Sequence, residues 1–185
     1  MTDALTFLKT RRSRPAKILS GPYPDSDTVM ALLHVAARTP DHGKLEPWRF
    51  IVLDIPALRR LADVAHTRAN AAGADAEKAT QQFKISGCAV VVVESPKDSP
   101  KIPAIEQTYS AGAVCLSLLN AALAAGWGAN WLSGWAAHDR GFCTDALGLS
   151  DHERVAGIIH IGTGPATMPD RPRPNVAALT TWMDT

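Results

Sequence analysis

From Asp25 onward, apolar positions Val29, Leu32, Leu33 and Ala36 recur at the i, i+3, i+4, i+7 spacing of an amphipathic helix. Asp25 or Ser26 supplies its N-cap and Pro40 lies just past its end. A shorter helix is predicted over 2–10, capped by Thr2 or Asp3. Leu58, Leu61, Ala62 and Ala65 mark a third, and Ala-rich polar sequence extends the helical pattern to about Lys84, with a break near Gly73. Trp48 to Leu53 is aromatic and β-branched enough for a strand. Ala89 to Val93 is a continuous apolar run, which suits a central strand buried on both faces. Gly128 to Ser133 and Val155 to Ile161 are two further strand candidates, and Arg140 to Leu147 reads as a short helix with Gly148 as its C-cap.

Two stretches break this regular pattern. Ile105 to Ala125 is helical in composition but apolar on nearly every side, and it ends at Gly126. Such a helix belongs in the middle of a core or in a subunit interface. Pro165, Pro169, Pro172 and Pro174 then forbid local helix or sheet, so about 165–185 is expected to travel as an extended arm. The element order, with no internal repeat and no shift in composition, predicts one α+β domain over 1–185. A doubly wound dinucleotide fold would carry a glycine fingerprint after its first strand, and none is present.

Composition narrows the partners. The chain has 19 Lys+Arg against 18 Asp+Glu, a formal net charge of +1, so it exerts no long-range attraction on nucleic acid or an anionic membrane surface. The apolar run at 111–125 is interrupted by Gly112, Ser117 and Asn120 and is shorter than the ~20 residues needed to cross a bilayer. Three scattered cysteines, Cys88, Cys115 and Cys143, form neither a disulfide framework nor a zinc pattern. With no secretory leader at the start, the expected location is cytoplasmic.

Candidate chemistry falls into three groups. Arg11, Arg12, Ser13 and Arg14 offer guanidinium groups and a hydroxyl, the set that fixes a phosphate monoester, although arginines there also suit the negative end of the first helix. Arg38, Asp41, His42 and Lys44 cluster where a helix enters a Pro-containing loop before a strand; a solvated helix terminus is the plainer alternative. His42 lacks a second ligand at metal spacing. Gly126 to Trp135 concentrates three of five tryptophans among glycines, which suits a flat ring system or a glycine-spaced aromatic core. Gly162-Thr163-Gly164 lacks the Lys-Ser/Thr of a phosphate loop and is expected simply to end a strand. Arg171 and Arg173 could add charge to an anion site.

Taken in order, these groups resemble the nitroreductase family of flavin mononucleotide (FMN) proteins, in particular its small single-domain YdjA-type branch. The resemblance is carried by Arg11-Arg12-Ser13, by Ala37-Arg38-Thr39-Pro40-Asp41-His42-Gly43-Lys44 followed by Glu46-Pro47-Trp48-Arg49-Phe50, by Glu106-Gln107 with Ser110-Ala111-Gly112, and by Gly126-Trp127-Gly128 with Trp131-Leu132-Ser133-Gly134. It implies a central, mostly antiparallel sheet flanked by helices, in an intertwined homodimer with FMN at the interface.

By that resemblance Arg11, Arg12 and Ser13 would hold the phosphate and ribityl end of FMN, Arg38 and His42 would reach the FMN bound mainly by the other subunit, and Trp131, Leu132 and Ser133 would line the ring. Leu132 would act through its backbone or by packing. Ala121, Ala122, Leu123, Ala124, Ala125 and Gly126 would meet the nicotinamide cofactor. The implied activity is ping-pong hydride transfer from NADH or NADPH through the flavin to a nitroaromatic, quinone or other small acceptor, with no protein nucleophile. A flavin-binding sensor or carrier of the same fold, without turnover, is the alternative.

Overall fold

A computed structural model describes residues 3–183. Asp3 caps the first helix, α1 (Ala4–Thr10), by accepting from the Thr6 amide; Thr2, the other expected cap, and the last two residues of the arm lie outside the described residues. α2 (Ser26–Ala36) is capped by Asp25 and buries Val29, Leu32, Leu33 and Ala36, the four positions its periodicity marks. Strand β1 (Trp48–Leu53) follows, then α3 (Ile55–Ala71) and α4 (Ala76–Lys84), separated by a turn through Gly73. Next come β2 (Ala89–Glu94), the long α5 (Ala104–Ala124) and β3 (Gly128–Leu132). Helices α6 (Trp135–His138) and α7 (Arg140–Leu147) precede β4 (Arg154–Gly162).

The four strands form one antiparallel sheet in the order β1-β2-β4-β3. Every residue of β2 is buried, in keeping with its unbroken apolar run and its place inside the sheet. One layer, from α3, α4, α6 and α7, packs Leu61, Phe83 and Phe142 on Val91 and Ile158. The opposite layer, α2 and α5, packs Leu33 and Leu118 on Val90, Val92 and Ile159. The chain is thus an α+β sandwich of helix, sheet and helix.

Three expectations change in detail. α6 lies where the sequence reading has only the aromatic-glycine segment, because Gly134 at φ 108 turns the chain out of β3 and lets Trp135 start a helical turn. The loop before β1 contains a 3-10 turn at His42–Lys44, with positive φ at Gly43, Lys44 and Glu46. α5 is not apolar all round: Glu106, Ser110 and Ser117 line one side and bond to the loop after α2. Its exposed side carries Ile105, Tyr109 and Leu116.

Candidate functional site

The segment after α1 runs along the outer edge of the sheet. β3 is an edge strand, so its outer row of backbone groups is open to this segment. The Arg14 amide donates to the Ala129 carbonyl, and Ser20 and Thr163 exchange backbone hydrogen bonds where β4 ends. Gly162-Thr163-Gly164 therefore closes the strand, as its missing Lys-Ser/Thr foretells. The Arg14 side chain donates to the carbonyls of Arg12, Pro165 and Ala166, so it secures the loop after β4.

Two cavities open along this segment. One, of about 420 Å³, is lined by Arg11, Arg12 and Arg14 together with Leu123, Gly126 and the loop after β4. Arg11 lines it, and its Nε is buried with no hydrogen-bond partner. Burial lowers its guanidinium pKa, and the nearby charges of Arg173 and Arg12 lower it further. Arg12 donates to the Pro169 carbonyl at 3.1 Å and stands 4.0 Å from Asp170, which in turn bonds Arg173 at 2.5 Å. Three guanidinium groups thus gather around a site with a single nearby carboxylate, an arrangement that favours a bound anion.

The second cavity, of about 660 Å³, lies between α4 and the end of β3 and is lined by Ala16, Lys17, Lys78, Gln82, Leu132 and Ser133 among others. Its walls are mainly apolar, a slot suited to a flat ring. Gln82 is buried and its Nε2 has no partner. A buried donor left unpaired costs about 1–3 kcal/mol, so Arg11 Nε and Gln82 Nε2 each mark a place where a ligand acceptor would be favourable. One end attracts an anion and the other offers an apolar slot with an amide donor, both strung along residues 11–17. An elongated ligand with a phosphate at one end and a flat, carbonyl-bearing ring at the other fits these groups.

Gln82 is absent from the candidates drawn from sequence. Its signal is a glutamine on the buried side of an amphipathic helix, beside Ala79 and Phe83. The three tryptophans of the aromatic-glycine segment do three different things. Trp135 packs edge-on against Phe142 with ring centroids 6.1 Å apart, and Trp127 packs on the α2–α5 core. Trp131 is partly exposed, and its indole occupies the space that a side chain at Gly157 would need. Ala121 and Ala122 face the core, whereas Ala124, Ala125 and Gly126 are at the surface.

The remaining candidates sit elsewhere. His42 Nδ1 lies 2.6 Å from Glu106 Oε2 at the start of α5, and Arg38 is in the turn that ends α2. Leu123, beside Arg11, is near the other end of the same helix. Between Glu106 and Leu123 α5 rises about 25 Å. One chain therefore does not bring His42 to the Arg11 cavity.

The thiols take no part. Cys88, Cys115 and Cys143 are free and buried, and burial pushes Cys115 up to about 12 and Cys88 up to about 11. Among the described residues no group of three or more His, Cys, Asp or Glu side chains could hold a metal ion, and no helix is long and apolar enough to cross a membrane.

A helix-sheet-helix sandwich with an anion-receiving arginine cluster beside an apolar slot defines a ligand-binding α+β domain, and its sequence places it more narrowly. The nitroreductase family model matches residues 8–163, and the chain belongs to that family. Membership puts it among oxidoreductases. It is similar to YdjA of Escherichia coli (strain K12), provisionally named an NAD(P)H nitroreductase, with 32% identity over 164 residues, 87% of this chain and 88% of YdjA. A nitroreductase-like family protein from Bacillus cereus shares the fold, with a TM-score of 0.83 at 21% identity over 100% of this chain and 98% of that one. So does a provisionally assigned nitroreductase from Desulfovibrio desulfuricans, solved in complex with FMN, with a TM-score of 0.76 at 19% identity over 100% and 99% of the two chains.

Proposed function

We propose that the protein is an FMN-dependent NAD(P)H oxidoreductase of the YdjA-type branch, acting as a homodimer on a nitroaromatic, quinone or other small electron acceptor. The observation that carries this reading is the pair of unpartnered buried donors, Arg11 Nε and Gln82 Nε2, on residues that line two cavities strung along one continuous segment. The FMN complex of the Desulfovibrio relative supports the choice of ligand.

FMN, when bound, supplies the redox chemistry: hydride uptake from NADH or NADPH and delivery of electrons to an acceptor entering the same pocket. The residues of this chain bind and orient. Arg11 and Arg12, with Arg173 close by, receive the phosphate, and Ser13, which lines neither cavity, joins them in sequence to the ring-slot residues Pro15 to Lys17. Leu132 and Ser133 flank the ring and Gln82 donates to a ring carbonyl, whereas Trp131, which alternates with Leu132 on β3, lies over Gly157 and does not line the slot. The nicotinamide cofactor meets the 121–126 stretch through its surface part, Ala124 to Gly126, next to the arginine cavity that Gly126 also lines. No protein nucleophile is needed.

Arg38 and His42 act from a second copy. A two-fold axis across α5 sets two such helices antiparallel, so the Glu106 end of one comes to the Leu123 end of the other. The exposed apolar stripe of α5, Ile105, Tyr109 and Leu116, with Met30 and Val35 of α2, gives that second copy an apolar surface to cover. The arm, with Val176, Leu179 and Trp182 exposed, extends onto it.

The test is an absorbance spectrum of the purified protein under nitrogen before and after NADH or NADPH. A yellow protein bleached by either nicotinamide is the expected result. A yellow protein that neither bleaches would be a flavin carrier, and a colourless protein that takes up no added FMN would end the flavin reading altogether.

A further inference from the structure

The polar side of α5 has a specific use. Glu106, Ser110 and Ser117, spaced four and seven residues apart, share one face of the helix. Each engages a different residue of the loop that follows α2. Ser117 Oγ donates to Thr39 Oγ1 at 2.9 Å, since the Thr39 hydrogen goes to the Ala36 carbonyl, also at 2.9 Å. Ser110 Oγ donates to the Pro40 carbonyl at 2.8 Å. Glu106 Oε2 receives His42 Nδ1 at 2.6 Å.

Beyond His42 the loop stays tightly constrained. Gly43, Lys44 and Glu46 have φ of 77°, 56° and 48°, and two of these are not glycine. Left-handed backbone at a non-glycine residue costs roughly 1–2 kcal/mol, so the surrounding structure must hold it. Part of that hold is the Glu46 amide donating to the Asp41 carboxylate. A side chain at Gly43 would collide with Ile102.

All this ordering ends in an exposed imidazole. The side chains of His42 and Glu106 are 61% and 42% exposed, and an ion pair in water contributes only about 0–1 kcal/mol to folding. Stability therefore does not account for fixing the ring. Orientation does: with Nδ1–H held by the carboxylate, Nε2 is the nitrogen left to face outward.

We propose that Glu106 is a positioning residue, which sets the His42 ring so that Nε2 meets FMN bound in the partner's cavity, with the Thr39 and Pro40 anchors fixing the loop. This rests on the reading of His42 as a ligand of a flavin shared between two chains. The test is fluorescence titration of the flavin-stripped full-length protein with FMN. Glu106→Ala should raise Kd about tenfold, whereas Glu106→Gln, whose amide carbonyl still accepts from Nδ1–H, should stay within about threefold of the wild type. In a His42→Ala background, Glu106→Ala should add no further loss. A Glu106→Ala protein with wild-type Kd, a Gln variant as weak as the Ala variant, or an additive loss on top of His42→Ala overturns the proposal alone. If His42→Ala itself keeps wild-type Kd, the shared-site reading of His42 falls, and the positioning role with it.

Discussion

The two helical layers on either side of the sheet are finished to different degrees. The α3–α4–α6–α7 layer is closed apart from the slot between α4 and β3: Leu58, Leu61, Phe83 and Phe142 are almost wholly buried, and charged residues lock its rim, as in Arg68 to Asp139 at 2.5 Å and the two 2.7 Å bonds from Arg49 to Glu153. The α2–α5 layer buries its inner side equally well but leaves Met30, Val35, Ile105, Tyr109 and Leu116 in solvent. The first layer leaves little apolar surface in solvent and the second leaves a stripe of it. On the proposed reading, the first face carries the stability of the fold and the ring slot, and the second carries assembly and the residues lent to the partner.

Substitutions can break this division, and the largest effect belongs to the sealed layer. Phe142→Ala removes a ring packed between Phe83 and Trp135 and should cost about 3–5 kcal/mol in urea unfolding. A loss near 1 kcal/mol would mean that this layer is loosely packed.

The next effect is that of pH on the same layer. His160 is fully buried in β4, its Nδ1 is 2.7 Å from Ser86 Oγ, and burial pushes its pKa down to about 4. The Ser86 hydrogen goes to the Cys88 carbonyl, so Nδ1–H donates to Ser86 and Nε2 stays bare. Below about pH 6.5 the unfolded chain takes up a proton that the folded protein refuses until about pH 4. Stability should therefore fall by on the order of 3 kcal/mol as pH drops through that window. His160→Asn should flatten that slope in unfolding measured from pH 7 to 4; an unchanged slope would assign it to other groups.

Smaller still is the rim. Arg49 hydrogen-bonds hold Glu153 down to about 2, which stabilises the folded protein above the ordinary carboxylate pKa, an advantage lost as pH falls toward 2. Because Arg49 is itself partly exposed, Arg49→Ala should cost only about 1–2 kcal/mol at pH 7. It should also return the Glu153 titration toward its ordinary range by carboxylate NMR, and a titration left where it was would remove Arg49 as the cause. Smallest in stability is the open layer: Leu116→Glu should change the unfolding free energy of the single chain by about 0.5 kcal/mol or less. Yet it should halve the mass seen by light scattering and release flavin. A variant that stays dimeric and yellow would show that α5 is not the covered surface.

Much of the fold was legible because its elements announce themselves locally. The Val29-Leu32-Leu33-Ala36 spacing, the bounds of β1, the buried run of β2 and the Gly148 cap of α7 all depend on near neighbours in the chain. α6 and the 3-10 turn at His42–Lys44 were not legible, since each depends on positive φ angles set by tertiary packing. In the site, the arginine cluster stood out by charge and its burial did not. Gln82 was hidden because a glutamine in a polar helix looks solvated until the helix is docked on the sheet. The polar stripe of α5 was masked by the surrounding alanines and leucines, and its meaning appears only when Thr39, Pro40 and His42 lie against it.

The central claim is that one functional site takes Arg11 from one chain and His42 from another. The direct measurement is flavin content after Arg11→Ala and His42→Ala chains are unfolded together, refolded as a mixture and loaded with FMN. Each variant alone should refold nearly colourless. In the mixture half of the dimers are mixed and each mixed dimer holds one intact site, so flavin should return to about one quarter of the wild-type level. A mixture as colourless as either variant alone would contradict the shared site.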